Sequence, residues 1–227
     1  MTRQFFTLLL FAGGLTATHA QTKKLTLEDI WLKPVLKTEL VQNMQSMKDG
    51  LHYRAMSNEG KLIKYAYQTG KETGVVFNAA DIKNEDGTQF VYENFSLSPD
   101  ETKVLFANAV EHIYRYSTIE ENYIYDIATK TINRLSVKGK QRLATFSPDS
   151  KHIAFVRGNN LFVTHLENGQ EEQITRDGEI NKIINGGTDW VYEEEFTLTK
   201  GLFWSPDSKR IAFYKFDESA VKEFSMT

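Results

Sequence analysis

An all-β fold, a partial β-propeller with a short helical lead-in, is what three observations in this 227-residue chain predict. The first is an internal repeat. Ser98-Pro99-Asp100-Glu101-Thr102-Lys103-Val104-Leu105-Phe106 recurs as Ser147-Pro148-Asp149-Ser150-Lys151-His152-Ile153-Ala154-Phe155 and as Ser205-Pro206-Asp207-Ser208-Lys209-Arg210-Ile211-Ala212-Phe213. The copies start 49 and 58 residues apart, close to the 40 to 50 residues that a four-stranded blade and its turns consume. The second is a succession of short runs rich in Val, Ile, Phe and Tyr, punctuated by Gly, Asn and Asp. The third is the lack of any long amphipathic helical period after Pro34. A β-sandwich with coincident turns is the competing arrangement. Three copies cannot close a ring of about four to eight blades, so more of the propeller is expected beyond Thr227.

Along the chain, residues 1–20 have the pattern of a secretory signal peptide. Arg3 precedes an apolar run at residues 5–12, and small residues end it at Thr18-His19-Ala20 before Gln21. That run is too short for a spanning helix of roughly 20 residues. No Cys follows the cleavage position, so an exported, periplasmic or secreted chain without a lipid anchor is expected, with no membrane span. Residues 21–50 read as the lead-in, with a short helix at Thr26-Leu27-Glu28-Asp29-Ile30-Trp31-Leu32. Thr26 can cap it, Glu28 and Asp29 suit its positive end, and Pro34 stops it.

Residues 51–227 are assigned to the propeller. Lys61-Leu62-Ile63-Lys64-Tyr65-Ala66-Tyr67 before Gly70 is a strand. Tyr123-Ile124-Tyr125-Asp126-Ile127 and Thr131-Ile132-Asn133-Arg134-Leu135 make a hairpin around Thr129-Lys130. Leu161-Phe162-Val163-Thr164-His165-Leu166 and Glu172-Gln173-Ile174-Thr175 make another, with Asn168-Gly169 expected in a type I′ turn. In each repeat Pro fixes φ at a turn corner, Asp bonds the turn amides and Val/Ile-x-Phe opens a strand. The wider second spacing leaves room for an insertion between the second and third copies.

Composition narrows the function. A content of 41% hydrophobic and 25% charged residues fits a globular chain rather than a disordered one. The net charge of −3, and of −4 without residues 1–20, offers no footprint for nucleic acid. The absence of cysteine removes disulfides, thiolate zinc and a Cys nucleophile. His52, His112, His152 and His165 are scattered without metal-ligand spacing, so neither metal nor cofactor is expected. A Gly-x-Ser-x-Gly nucleophile elbow is also missing.

One block stands out: Asn185-Gly186-Gly187-Thr188-Asp189-Trp190-Val191-Tyr192-Glu193-Glu194-Glu195-Phe196. It reads either as a solvated acidic turn or as a pocket for a cation. Neighbouring residues on a strand face opposite ways, so adjacent glutamates can converge on one ligand only if the backbone turns helically there.

Asp189-Trp190-Val191-Tyr192-Glu193-Glu194-Glu195 resembles the double-glutamate motif of the dipeptidyl peptidase IV family, serine exopeptidases with an eight-bladed N-terminal propeller and a C-terminal α/β-hydrolase domain. Further resemblances run in order along the mature chain. They are residues 26–30, the Ser98-Pro99-Asp100 strand, Tyr123-Ile124-Tyr125-Asp126, residues 183–195 and Phe203-Trp204-Ser205-Pro206.

The resemblance implies that Glu194 and Glu195 bind the free amino terminus of a peptide substrate. Arg115, eleven residues before Asp126, is implied to hold the substrate carbonyl. Its setting, Tyr114-Arg115-Tyr116-Ser117, departs from the family's Trp-Arg-His-Ser. Two carboxylates, one guanidinium and one ammonium sum to neutrality, which lowers the cost of burial. A charge pair at about 4 Å is worth roughly 4 kcal/mol at an effective dielectric near 20, before desolvation.

The implied activity is release of Xaa-Pro or Xaa-Ala dipeptides from peptide N-termini. Its triad is expected in a hydrolase domain beyond Thr227, leaving this portion inactive alone, and a homodimer is the family's usual assembly. The alternative is a non-enzymatic propeller binding peptide or carbohydrate.

Overall fold

The structure, a computed structural model, describes residues 24–33 and 41–222. The expected leader at residues 1–20 lies outside the described residues, as does Pro34. The chain divides into two units at Leu40/Val41. In the first, α1 (Leu27–Trp31) is closed by a capping box. The Asp29 N–H donates to Thr26 Oγ1 at 3.1 Å, and the Thr26 N–H donates to Asp29 Oδ2 at 3.2 Å.

The second unit contains three antiparallel four-stranded sheets, each a simple meander, and a fourth sheet built differently. Sheet one is β1 (Gln42–Ser46), β2 (His52–Met56), β3 (Lys61–Ala66) and β4 (Glu72–Asn78). Sheet two is β5 (Asn94–Leu97), β6 (Lys103–His112), β7 (Thr118–Asp126) and β8 (Thr131–Arg134). Sheet three is β9 (Arg142–Phe146), β10 (His152–Arg157), β11 (Asn160–His165) and β12 (Glu171–Gln173).

The sheets stack with a separate core between each successive pair. Val104, Phe106 and Tyr125 of sheet two pack with Leu62 and Phe77 of sheet one, whereas Leu105 packs with Phe146, Ile153 and Phe155 of sheet three. Ala154, Val156, Leu161 and Val163 use the opposite face of sheet three to meet Leu202. The second strands of sheets two and three are therefore buried on both sides, which explains why the middle residues of their Val/Ile-x-Phe triplets, Leu105 and Ala154, are also apolar. A two-layer sandwich would bury only one face of each sheet, so the arrangement is a partial propeller.

Each repeat folds identically at its turn. The Ser98 hydroxyl donates to Asp100 Oδ1 at 2.6 Å and accepts the Lys103 N–H at 2.9 Å. Ser147 and Ser205 make the same pair of bonds with Asp149 and His152, and with Asp207 and Arg210. The fourth residue of each turn, Glu101, Ser150 or Ser208, has φ near +60°. That conformation costs a non-glycine residue roughly 1–2 kcal/mol. The side chain gives something in return, because Ser150 Oγ accepts the Asp100 N–H and Ser208 Oγ accepts the Asp149 N–H of the preceding blade. Glu101 likewise accepts from the Lys48 N–H. The turns thus form a relay from blade to blade.

Lys48 belongs to a fourth, degenerate copy of the turn, Met47-Lys48-Asp49-Gly50. Asp49 Oδ1 accepts the Leu51 and His52 N–H groups, and Gly50 takes φ 67°. The expected lead-in boundary at residue 50 therefore differs from the structure, where sheet one begins at Gln42. The sequence Gln42-Asn43-Met44-Gln45-Ser46 lacks apolar alternation, and residues 43–46 of β1 are exposed, so periodicity could not reveal it.

The expected type I′ turn at Asn168-Gly169 is also corrected. Only Gly169, at φ 70°, is left-handed, and its N–H returns to the His165 carbonyl at 2.8 Å across a four-residue loop. Gly70 returning to Ala66 and Lys130 returning to Asp126 close the same loop in sheets one and two.

Candidate functional site

The fourth sheet explains the wider repeat spacing. β13 (Ile183–Asn185) and β14 (Leu202–Trp204) both pair with one continuous stretch, β15 (Ile211–Phe213) followed by β16 (Lys215–Asp217). The Gly186 N–H bonds the Tyr214 carbonyl and the Tyr214 N–H bonds the Gly201 carbonyl, so the ladder continues across the break. In effect one strand has been opened, and residues 187–200 loop out of it.

The neck of this excursion requires glycine. A Cβ on Gly201 would lie 2.6 Å from the Gly187 carbonyl oxygen, and Gly186 has φ 80° with Val156 Cγ2 only 3.0 Å from its Cβ position. Gly186-Gly187, just ahead of the acidic block, is half of that neck.

The excursion carries α2 (Trp190–Phe196), capped by Asp189 through the Tyr192 N–H at 2.8 Å and ended by Thr197 in the left-handed region. A helix turns about 100° per residue, so its three consecutive glutamates face three directions. Glu193 points inward and is 1% exposed. Glu194 is mostly covered, and Glu195 is exposed without a hydrogen bond or ion pair among the described residues. Two acids near the negative end of a helix that has no basic residue in its last turn are locally unfavourable. Local folding therefore gives no reason for them.

Arg115 arrives from the tip of the long β6–β7 hairpin, where the Ile113 N–H meets the Ser117 carbonyl. Glu193 Oε1 accepts the Tyr116 N–H at 2.8 Å and the Ser117 N–H at 2.9 Å, tying this tip to α2. Arg115 Nε then lies 3.5 Å from Glu194 Oε2, with the arginine side chain 66% exposed. The Tyr116 side chain and then Glu194 raise the Arg115 guanidinium above its ordinary pKa.

Two of the three residues singled out from sequence, Arg115 and Glu194, are thus brought into an ion pair. Glu195 follows Glu194 on the helix but makes no ion pair with Arg115 among the described residues. Sequence reasoning assigned no task to Glu193, although a third glutamate in a run where two suffice was a signal.

Tyr114 and Tyr116 on the hairpin tip and Trp190 and Tyr192 on α2 are exposed. A separate cleft of about 280 Å³ lies between sheet three and β15, lined by residues including His152, His165 and Trp204, and none of its walls comes from α2 or the hairpin tip. Among the described residues no group of three or more His, Asp or Glu side chains could hold a metal ion, and no helix is long and apolar enough to cross a membrane.

Comparison with known proteins bears on this arrangement. The family described as dipeptidyl peptidase IV (DPP IV) N-terminal region matches residues 98–227. The chain is 31% identical to dipeptidyl-aminopeptidase B of Aspergillus niger over 94% of its own length and 25% of that relative's. It is 30% identical to prolyl endopeptidase FAP of Bos taurus over 89% of its length and 26% of that protein's. The crystal structure of Porphyromonas gingivalis dipeptidyl peptidase 4 superposes with a TM-score of 0.75 at 36% identity, covering 89% of this chain and 29% of that one. The chain spans about a quarter of the length of the curated relatives it matches.

Proposed function

This chain belongs to the dipeptidyl peptidase IV family, and from that premise we propose that α2 and the β6–β7 tip read the free amino terminus of a peptide substrate. The observation that carries the reading is the charge balance at the tip. Arg115 faces Glu194, while Glu195 beside it has no partner among the described residues. The trio has one net negative charge, which a single ammonium group neutralises. The Arg115 contact is long and solvent-exposed, so its guanidinium can turn toward a substrate carbonyl at little cost when the amine takes its place on the carboxylates.

In this reading the propeller is a ruler. Fixing the amine on Glu194 and Glu195 sets which peptide bond reaches the nucleophile, and release of Xaa-Pro or Xaa-Ala dipeptides follows. The Ser, Asp and His that cut the bond belong to a hydrolase portion outside these 227 residues, and this portion alone is inactive. Residues 1–20 act as an export leader, and mass spectrometry of the mature N-terminus tests that assignment.

The central test uses the complete enzyme. Glu194→Ala and Glu195→Ala should each lower kcat/KM for a free-amine Gly-Pro chromogenic substrate by about two orders of magnitude, with thermal unfolding unchanged. An N-acetylated substrate should be refused by the parent enzyme. KM should rise as pH passes the substrate amine's pKa of about 7.7–8.0, because the cation disappears. Near-parental kinetics in both variants would sink the proposal.

A further inference from the structure

The tie between α2 and the hairpin tip rests on a buried carboxylate whose charge needs an answer. Glu193 Oε1 is satisfied by two backbone N–H groups, but Oε2 is buried with no hydrogen-bond partner among the described residues. A carboxylate in such a place is costly unless a cation compensates it.

The compensating cation comes from a third element. Arg142, the first residue of β9, has its guanidinium under the neck of the excursion. Its Nη1 and Cζ lie 3.8 and 3.9 Å from the position a Cβ on Gly187 would occupy. Its Nε–H is buried and, like Glu193 Oε2, has no hydrogen-bond partner among the described residues. Burial lowers the Arg142 pKa, while Glu193, then Tyr114 and Glu120, act to raise it. Attraction between buried charges needs no direct contact, because the low local dielectric lets it act at longer range.

We propose that Arg142 is a positioning residue for the amine site: its guanidinium supplies the counter-charge to the buried Glu193 side chain. Glu193 in turn fixes the hairpin tip against α2, so that Arg115 and Glu194 meet. Three elements that are remote in sequence then converge on one geometry. β9 provides the cation, the β6–β7 tip provides the N–H donors and Arg115, and α2 provides the acids. Arg142 itself touches no substrate. This inference rests on the amine-reading role of α2.

The test compares Arg142→Met, Arg142→Lys, Glu193→Gln and the double variant E193Q/R142M in the complete enzyme. Arg142→Met should raise KM for the free-amine substrate at least tenfold while kcat changes less than threefold, because the chemistry is elsewhere. Arg142→Lys should return KM to within threefold of the parent. The double variant should do better than Arg142→Met alone, since removing both charges leaves no lone carboxylate behind. A parental KM in Arg142→Met, or losses that multiply in the double variant as independent packing defects do, would overturn the proposal.

If Arg142→Met does not fold, thermal unfolding decides. The double variant melting above Arg142→Met supports the pair, and melting at or below it refutes the pair. Near-parental kinetics in both Glu194→Ala and Glu195→Ala would instead remove the amine reading itself, leaving the unfolding comparison to judge the Arg142–Glu193 pair.

Discussion

Sheets three and four grow from the same nine-residue repeat and are put to different uses. In sheet three the repeat strand β10 is flanked on both sides, and Ile153, Ala154, Phe155 and Val156 are all fully buried. Its outer strand is fastened by a bidentate Arg157–Glu171 pair at 3.1 and 2.6 Å, joined by the Ser136 hydroxyl. In sheet four the strand before the repeat is opened at Gly186 and Gly201, and the loop thrown out carries every acid of the candidate site. The repeat supplies the frame, and the candidate site lies where one strand leaves it. An excursion rooted on adjacent ladder positions disturbs its sheet little, because the hydrogen bonds resume on the far side.

Three changes probe that contrast. The largest effect is expected at the neck. Gly201→Ala forces a Cβ against the Gly187 carbonyl, which cannot move without opening the ladder. It should cost about 1–3 kcal/mol of stability and at least tenfold in kcat/KM, measured by chemical unfolding and dipeptide release. Gly74→Ala, where a Cβ meets nothing within 4 Å, is the matched control and should have little effect. Equal losses in the two would mean that the neck has no special role.

Next comes the clamp on sheet three. Arg157 and Ser136 overcome the penalty of burial and hold the Glu171 carboxyl down to about 2. A depressed folded-state pKa stabilises above the unfolded value of about 4.3 and loses that contribution as pH falls toward 2. Glu171→Gln should therefore destabilise by about 1–2 kcal/mol at pH 7, after discounting for solvent screening. The gap between variant and parent should close on acidification between those two values. A gap independent of pH would assign the loss to packing.

The smallest effect sharpens the likeness among the regular sheets. Lys130 occupies, at φ 58°, the loop position that Gly70 and Gly169 fill in sheets one and three. Lys130→Gly should raise stability by about 0.5–1 kcal/mol in chemical unfolding, since only the strain of a left-handed side chain is removed.

Much of the frame was legible because it is local. Ser-Pro-Asp fixes its turn by bonds spanning two to five residues, and the strand that follows is marked by its apolar run. The first copy escaped notice because Met47 and Lys48 stand where the others have Ser and Pro, leaving only Asp49 and a glycine to hold the same bend. The Asn168-Gly169 turn misled because a dipeptide preference yields to the loop length that the flanking strands impose.

At the site, the acidic run and the need for helical backbone could be read from the residues. Glu193 could not, since its partners at Tyr116 and Ser117 are 77 and 76 residues away. The repeating blade, the turn chemistry and the segment that breaks the repeat are written in the chain itself, because each depends on neighbours a few bonds apart. Which glutamate goes inward, that Arg115 faces Glu194, and that Arg142 lies against the Gly187 neck are settled by tertiary packing. Those choices depend on how three separate sheets are stacked, and no short stretch of chain contains that information.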